Sequence, residues 1–139
     1  MDQPFTLRRR VEFADTDMAG LLHFSRFFAW MEAAEHAFMK HLGMEPLEKT
    51  GDCYYGWPKA EASCEYISPL RFGDELDLTV EVVEVRNRSL TLCIRFFKVG
   101  QTEPCAIGKL ATVYVKSDAS GTFIPQPIKP FHRARLAGE

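Results

Sequence analysis

Between residues 15 and 20 the chain reads Asp15-Thr16-Asp17-Met18-Ala19-Gly20, two carboxylates in a turn of small residues just ahead of a long apolar stretch. A carboxylate in such a loop has two uses. It can close the loop by accepting nearby backbone N–H groups, or it can act as a nucleophile or general base. The helix that follows adds unpaired N–H groups and a partial positive charge at its start, a place where negative charge is stabilised. Gly20 allows close backbone approach in the turn. His23 offers either a general base or an imidazole that only walls a pocket. A second cluster, Arg86-Asn87-Arg88-Ser89, joins two guanidinium forks to a hydroxyl, which suits phosphate oxygens. The same four residues would also make an ordinary solvated hairpin turn.

These residues need elements to hold them. Phe5 to Ala14 places Leu7, Val11 and Phe13 on alternate sites of a strand. Ser25 reads as an N-cap, with a helix over Arg26 to Leu42 ended by Gly43. Phe27, Phe28, Trp30, Met31, Ala33, Ala34, Ala37, Phe38 and Leu42 cover most of that helix. Glu32, His36 and Lys40 recur every four residues, leaving one narrow polar stripe. Such a helix must be buried on most sides. Turn residues follow as far as Pro58, and then strands are expected over Trp57–Ser68, Asp77–Val85, Ser89–Val99 and Cys105–Lys116. Short turns between them imply antiparallel pairing. The tail from about residue 118, with Pro125, Pro127 and Pro130, shows no pattern of a further element. The sum is α+β, a sheet of about five antiparallel strands curled around one long helix, in a single domain over residues 1–139. Its exposed edges invite pairing between subunits.

Composition narrows the class. In 139 residues, Lys+Arg 17 against Asp+Glu 19 gives a net charge of −2, which argues against binding nucleic acid through bulk positive charge. Arg8-Arg9-Arg10 is no exception, because side chains on a strand alternate between faces. The longest apolar run, Phe27 to Met31, is too short to span a bilayer. The opening Met1-Asp2-Gln3-Pro4 lacks the features of a secretion signal, so a cytoplasmic protein is expected. Cys53, Cys64, Cys93 and Cys105 form no close pair, so reduced thiols and no metal are expected.

Glu12-Phe13-Ala14-Asp15-Thr16-Asp17-Met18-Ala19-Gly20 resembles the signature of the 4-hydroxybenzoyl-CoA thioesterase family of hot-dog proteins. The resemblance continues through Trp30 and Glu32 and resumes at Glu65-Tyr66-Ile67-Ser68-Pro69-Leu70-Arg71-Phe72-Gly73-Asp74. It implies a hot-dog fold and hydrolysis of an acyl-CoA thioester, with no cofactor beyond the CoA carried by the substrate. Asp17 takes the catalytic position by this resemblance, as nucleophile or general base, and Asp15 becomes a residue that positions it. The implied oxyanion donor is the backbone N–H of Phe24. Some relatives carry a histidine where this chain has Phe24, so His23 is expected as a substrate-side residue only. Glu32 falls where an acidic residue lies near the hydroxyl of a 4-hydroxybenzoyl group. Trp57, Phe27 and Phe28 are expected pocket walls, and Arg86, Arg88 and Ser89 would hold the CoA phosphates. A homodimer or homotetramer with sites shared between chains is implied. Two other readings stay open, a non-catalytic acyl-CoA binding module and an enoyl-CoA hydratase, although the hydratase motif is missing.

Overall fold

The computed structural model describes residues 3–139; Met1 and Asp2, on which the expectation of no secretion signal partly rests, lie outside the described residues. In order the elements are β1 (Phe5–Arg10), α1 (Phe24–His41), β2 (Leu47–Thr50), β3 (Cys53–Gly56), β4 (Lys59–Tyr66), β5 (Glu75–Val85), β6 (Ser89–Lys98), β7 (Ala106–Val113), β8 (Val115–Ser117), β9 (Phe123–Pro125) and α2 (Pro130–Leu136). The main sheet has five strands in the order β1-β5-β6-β7-β4, every neighbour antiparallel. It carries the fold expected from the sequence, a sheet packed on one long helix.

Alternation explains how the sheet meets α1. Leu76, Leu78 and Val80 of β5, Leu90, Leu92, Ile94 and Phe96 of β6, and Leu110 of β7 join Phe27, Trp30, Met31, Ala34 and Phe38 in one core. Contact is closest at Gly108, where an added Cβ would come within 2.6 Å of the Met31 Sδ. On the sheet's other face, cross-strand pairs of opposite charge face solvent: Arg8–Asp77 at 2.9 Å, Arg10–Glu75 at 2.9 Å and Arg95–Glu81 at 2.6 Å. Two of the three arginines of β1 are therefore spent within their own sheet, and Arg9 lies over the Trp30 ring of α1.

Four local readings are corrected. The helix starts at Phe24, not Arg26, and its cap is His23, whose Nδ1 accepts the Ser25 N–H at 3.2 Å. Ser25 lies inside the first turn, and its hydroxyl sits 2.8 Å from the same Nδ1. The stretch read as turns before Pro58 forms the β2–β3 hairpin, and the expected strand over Cys105–Lys116 divides at Tyr114. β2, β3, β8 and β9 make a separate small sheet. The tail is also structured. It supplies β9 and then α2, started by Pro130 at the position where a missing N–H costs nothing. His132 of α2 is buried between the Trp57 and Tyr114 rings, with its Nε2 3.0 Å from Glu48. Burial pulls its imidazole pKa below the ordinary value, against the opposing pull of Glu48.

All four cysteines are free thiols, with Cys93 and Cys105 buried. No helix among the described residues is long and apolar enough to cross a membrane.

Candidate active site

The loop between β1 and α1 is held at both ends. Asp15 accepts the Glu12 N–H on Oδ2 at 3.0 Å, receives the His23 N–H on its carbonyl at 2.8 Å, and lies 3.6 Å from the Arg26 guanidinium. It positions the loop, as its place in the motif implies. Leu22 donates to the Leu70 carbonyl at 2.7 Å, and Leu21 bridges Arg71, so the loop is stitched to the turn before β5.

Asp17 sits at the tip. Its Oδ1 accepts the N–H groups of Ala19 at 2.8 Å and Leu21 at 3.1 Å, while Gly20, at φ 80°, donates to its carbonyl at 3.0 Å. A positive φ of this kind is strained for any residue with a Cβ. One carboxylate oxygen is thus fixed by the backbone, and Oδ2 makes no hydrogen bond among the described residues. Loop closure and a chemically available carboxylate turn out to be compatible uses of the same side chain.

Asp17 lines a cleft of about 320 Å³ with Leu21, Phe24, Phe27, Tyr66 and Pro69. The Phe24 N–H opens α1 and has no acceptor among the described residues, as expected of a first helical residue. The Phe24 carbonyl accepts the Tyr66 hydroxyl at 3.1 Å, and the Tyr66 ring meets Phe27 edge-on at 4.8 Å. Tyr66 was legible only as part of the Glu65-Tyr66 motif; its role as a tie between β4 and the helix start was not. His23 lies with Asp17, Phe13 and Met18 along the outer side of this loop, its ring stacked on Phe24 at 4.5 Å. Its Nδ1 is occupied in capping.

Glu32 and Trp57 are elsewhere. They share a second cleft of about 300 Å³ with His36, Tyr54, Lys59 and Phe123. Glu32 follows Phe24 by eight residues on α1, about 12 Å along the axis. Within one chain, then, the expected pocket residues divide: Phe27 lines the Asp17 cleft, whereas Glu32 and Trp57 do not. Glu32 is exposed; the buried acid is Glu35, fully enclosed, with Oε1 2.5 Å from the Lys59 ammonium and Oε2 without a hydrogen-bond donor. Burial drives the Glu35 carboxyl pKa up, and Lys59 works against that rise. The helical period could have found it, because Glu35 stands four residues after Met31 and three before Phe38 on the apolar face.

Arg86, Asn87 and Arg88 form an exposed hairpin turn between β5 and β6, closed by the Arg86 N–H on the Ser89 carbonyl at 2.8 Å. Arg86 is paired with Glu84 at 2.9 Å, while Ser89 is half-buried in β6. The turn lies at the far end of β5 from Asp17, an 11-residue strand of about 35 Å.

The Thioesterase-like superfamily matches this chain over residues 11–136. A protein of Aquifex aeolicus (strain VF5), provisionally named an esterase, is 32% identical over 78% of this chain and 81% of its own length. The 4-hydroxybenzoyl-CoA thioesterase of Pseudomonas sp. (strain CBS-3) is 24% identical over 75% of this chain and 73% of its own. Among solved structures, a gentisyl-coenzyme A thioesterase superposes with a TM-score of 0.78 at 26% identity, covering 96% of this chain and 99% of that one. The anchored carboxylate beside an open helix start sits on the same fold as these hydrolases. The chain belongs to the Thioesterase-like superfamily, as a thioester hydrolase of the hot-dog fold.

Proposed function

We propose that the protein hydrolyses an acyl-CoA thioester to the free acid and coenzyme A at a site built by two chains. The observation that carries this reading is the cleft that Asp17 and Phe24 line together, with the Phe24 N–H free of an acceptor among the described residues. A thioester carbonyl oxygen bonded to that N–H is polarised, and the charge that develops on it is stabilised by the helix start. Asp17 then works in one of two ways. As general base it removes a proton from water, whose oxygen attacks the carbonyl carbon; the intermediate collapses and CoA leaves as thiolate, taking the proton. As nucleophile it displaces the thiolate itself, and water opens the mixed anhydride. Neither route calls on a metal or a second cofactor.

Two chains are needed because each holds half of a CoA site at either end. Tyr66, at the end of edge strand β4, adjoins the Asp17 cleft, whereas Lys59, at its start, adjoins the Glu32–Trp57 cleft. β4 is exposed along nearly its whole length, with one edge unpaired among the described strands. Antiparallel pairing of β4 with its copy sets Tyr66 of one chain beside Lys59 of the other. The Asp17 cleft of one chain then faces the Glu32–Trp57 cleft of its partner. The Arg86–Arg88 turn, at the same end as Lys59, would supply the CoA phosphates' contacts from that partner. The acyl group would lie toward Glu32, Trp57 and Lys59, a wall that mixes an aromatic face with both charges.

A panel of aryl and short-chain acyl-CoA thioesters, with free thiol detected as it forms, tests the activity. Release with at least one of them, abolished in Asp17→Asn, supports the reading. CoA binding without turnover of any would make the protein an acyl-CoA binding module instead.

A further inference from the structure

The Arg86–Ser89 turn has little of its own to hold it. All of Arg86, Asn87 and Arg88 are exposed, and among the described residues the only bond across the turn is the Arg86 N–H to the Ser89 carbonyl. What fixes it comes from the C-terminal third of the chain. The Arg88 carbonyl accepts the Tyr114 N–H at 2.8 Å, and the Asn87 carbonyl accepts the Ile128 N–H at 2.8 Å. Arg133 of α2 completes the set: its Nη2 donates to the Arg86 carbonyl at 2.8 Å and to the Asn87 carbonyl at 3.2 Å. Neighbouring residues on either side of Arg133 lock the helix that carries it, because His132 is buried against Glu48, Trp57 and Tyr114, and Leu136 is buried one turn on.

We infer that Arg133 is a positioning residue for coenzyme A: it holds the backbone of the Arg86–Arg88 turn in the shape that presents both guanidinium groups to the nucleotide phosphates. The inference rests on the proposed role of that turn. Two physical effects are combined in one side chain. A charged fork bonded to two successive carbonyls is stronger than a neutral pair and fixes their relative orientation. It also covers two oxygens whose negative partial charge would otherwise oppose an approaching phosphate. Ordering the turn before the ligand arrives removes that entropic cost from binding, so the gain appears as affinity for the nucleotide part alone. The Nη2 of Arg133 is committed to the carbonyls, which separates its role from that of Arg86 and Arg88.

The experiment is calorimetric titration of the full-length protein with coenzyme A and, separately, with pantetheine, which lacks the nucleotide. Arg133→Gln should weaken coenzyme A about five- to tenfold and leave pantetheine unchanged, with Arg133→Lys in between, since one ammonium can still reach one carbonyl. Thermal unfolding of each variant checks that α2 remains docked. An equal loss for both ligands would reduce Arg133 to a general structural contact and overturn the inference. So would unchanged coenzyme A affinity in Arg133→Gln while Arg86→Ala and Arg88→Ala weaken it. If those two arginine variants also bind coenzyme A as the wild type does, the phosphate role of the turn fails, and the inference falls with it.

Discussion

In the proposed reaction a single side chain, Asp17, does the chemistry, and an amide in its place keeps the loop contacts. In Asp17→Asn the amide oxygen can accept the Ala19 and Leu21 N–H groups as Oδ1 does now, so the loop should keep its shape. What disappears is the ability to take a proton or to attack a carbonyl. Asp17→Asn should therefore lower kcat by at least about a thousandfold at unchanged coenzyme A affinity. Thiol-release kinetics beside titration will read both numbers, and near-normal turnover would sink the role of Asp17. A second residue-scale test concerns Glu35. Removing its partner by Lys59→Met strands a buried carboxylate and should cost about 3–5 kcal/mol near neutral pH. Glu35→Gln should cost less, because Lys59 is a quarter exposed and can turn to water. Since burial raises the folded-state pKa of Glu35, its contribution is fully present below the ordinary carboxylate value. It is lost as pH climbs through the raised one. Denaturant melts across that range should show stability falling with pH in the wild type and a flatter profile in Glu35→Gln. The loop contacts of Asp15 and Asp17 were legible because short acidic side chains in a turn bond nearby backbone N–H groups, as both do. Glu35 escaped notice because the polar stripe at Glu32, His36 and Lys40 drew attention away from an acid lying outside it.

Elements were legible wherever the period was long. α1 and the four long strands read correctly to within a few residues, since each shows many turns or alternations. The helix start was missed by two positions because Ser25 is a better cap by type than His23, yet the imidazole Nδ1 reached the amide first. β2, β3, β8 and β9 are three or four residues long, too short for alternation to stand out. α2 was hidden by the prolines around it, although Pro130 at a helix start is itself a signal. The packing of α1 on β7 was not visible either, and it makes a sharp test. Gly108→Val would drive a branched side chain into the wholly buried Met31 side chain, which would have to shift. We expect a loss of about 2–3 kcal/mol, read in urea melts, with Gly108→Ala smaller.

For the whole molecule the test is whether two chains divide one reaction, as proposed. The cleft with Asp17 and the turn with Arg86 and Arg88 stand at opposite ends of β5, so a chain defective at one end still offers the other. Mixing Asp17→Asn chains with Arg86→Ala/Arg88→Ala chains should restore activity at low substrate. Each heterodimer would hold one site with an intact Asp17 from one chain and intact arginines from the other. The mixture is expected to approach about a quarter of wild-type activity, since about half of the chains pair as heterodimers and each has one complete site of two. Failure to complement, with heterodimers demonstrated by light scattering of differently sized fusions, would place both groups in a site of one chain. The sequence implied two chains for lack of cover; which edge they would use became readable only with the strand order.

The two outer strands of the main sheet are unlike each other, and that difference decides how far assembly can go. β4 carries small and exposed residues along an open edge, Ala60, Ala62 and Ser63 among them. β1 ends in Arg8, Arg9 and Arg10, two of them paired across to Asp77 and Glu75 and the third lying over Trp30. A chain with two hospitable edges would add copies indefinitely, as fibres do. On the proposed pairing through β4, growth would stop after the first addition, because a two-fold contact uses itself up and the charged β1 edge is a poor template for another strand. On that proposed pairing, the arginine run would set a limit on polymerisation. Replacing Arg8, Arg9 and Arg10 by Thr should leave the dimer intact yet produce slow, concentration-dependent growth of larger species in sedimentation.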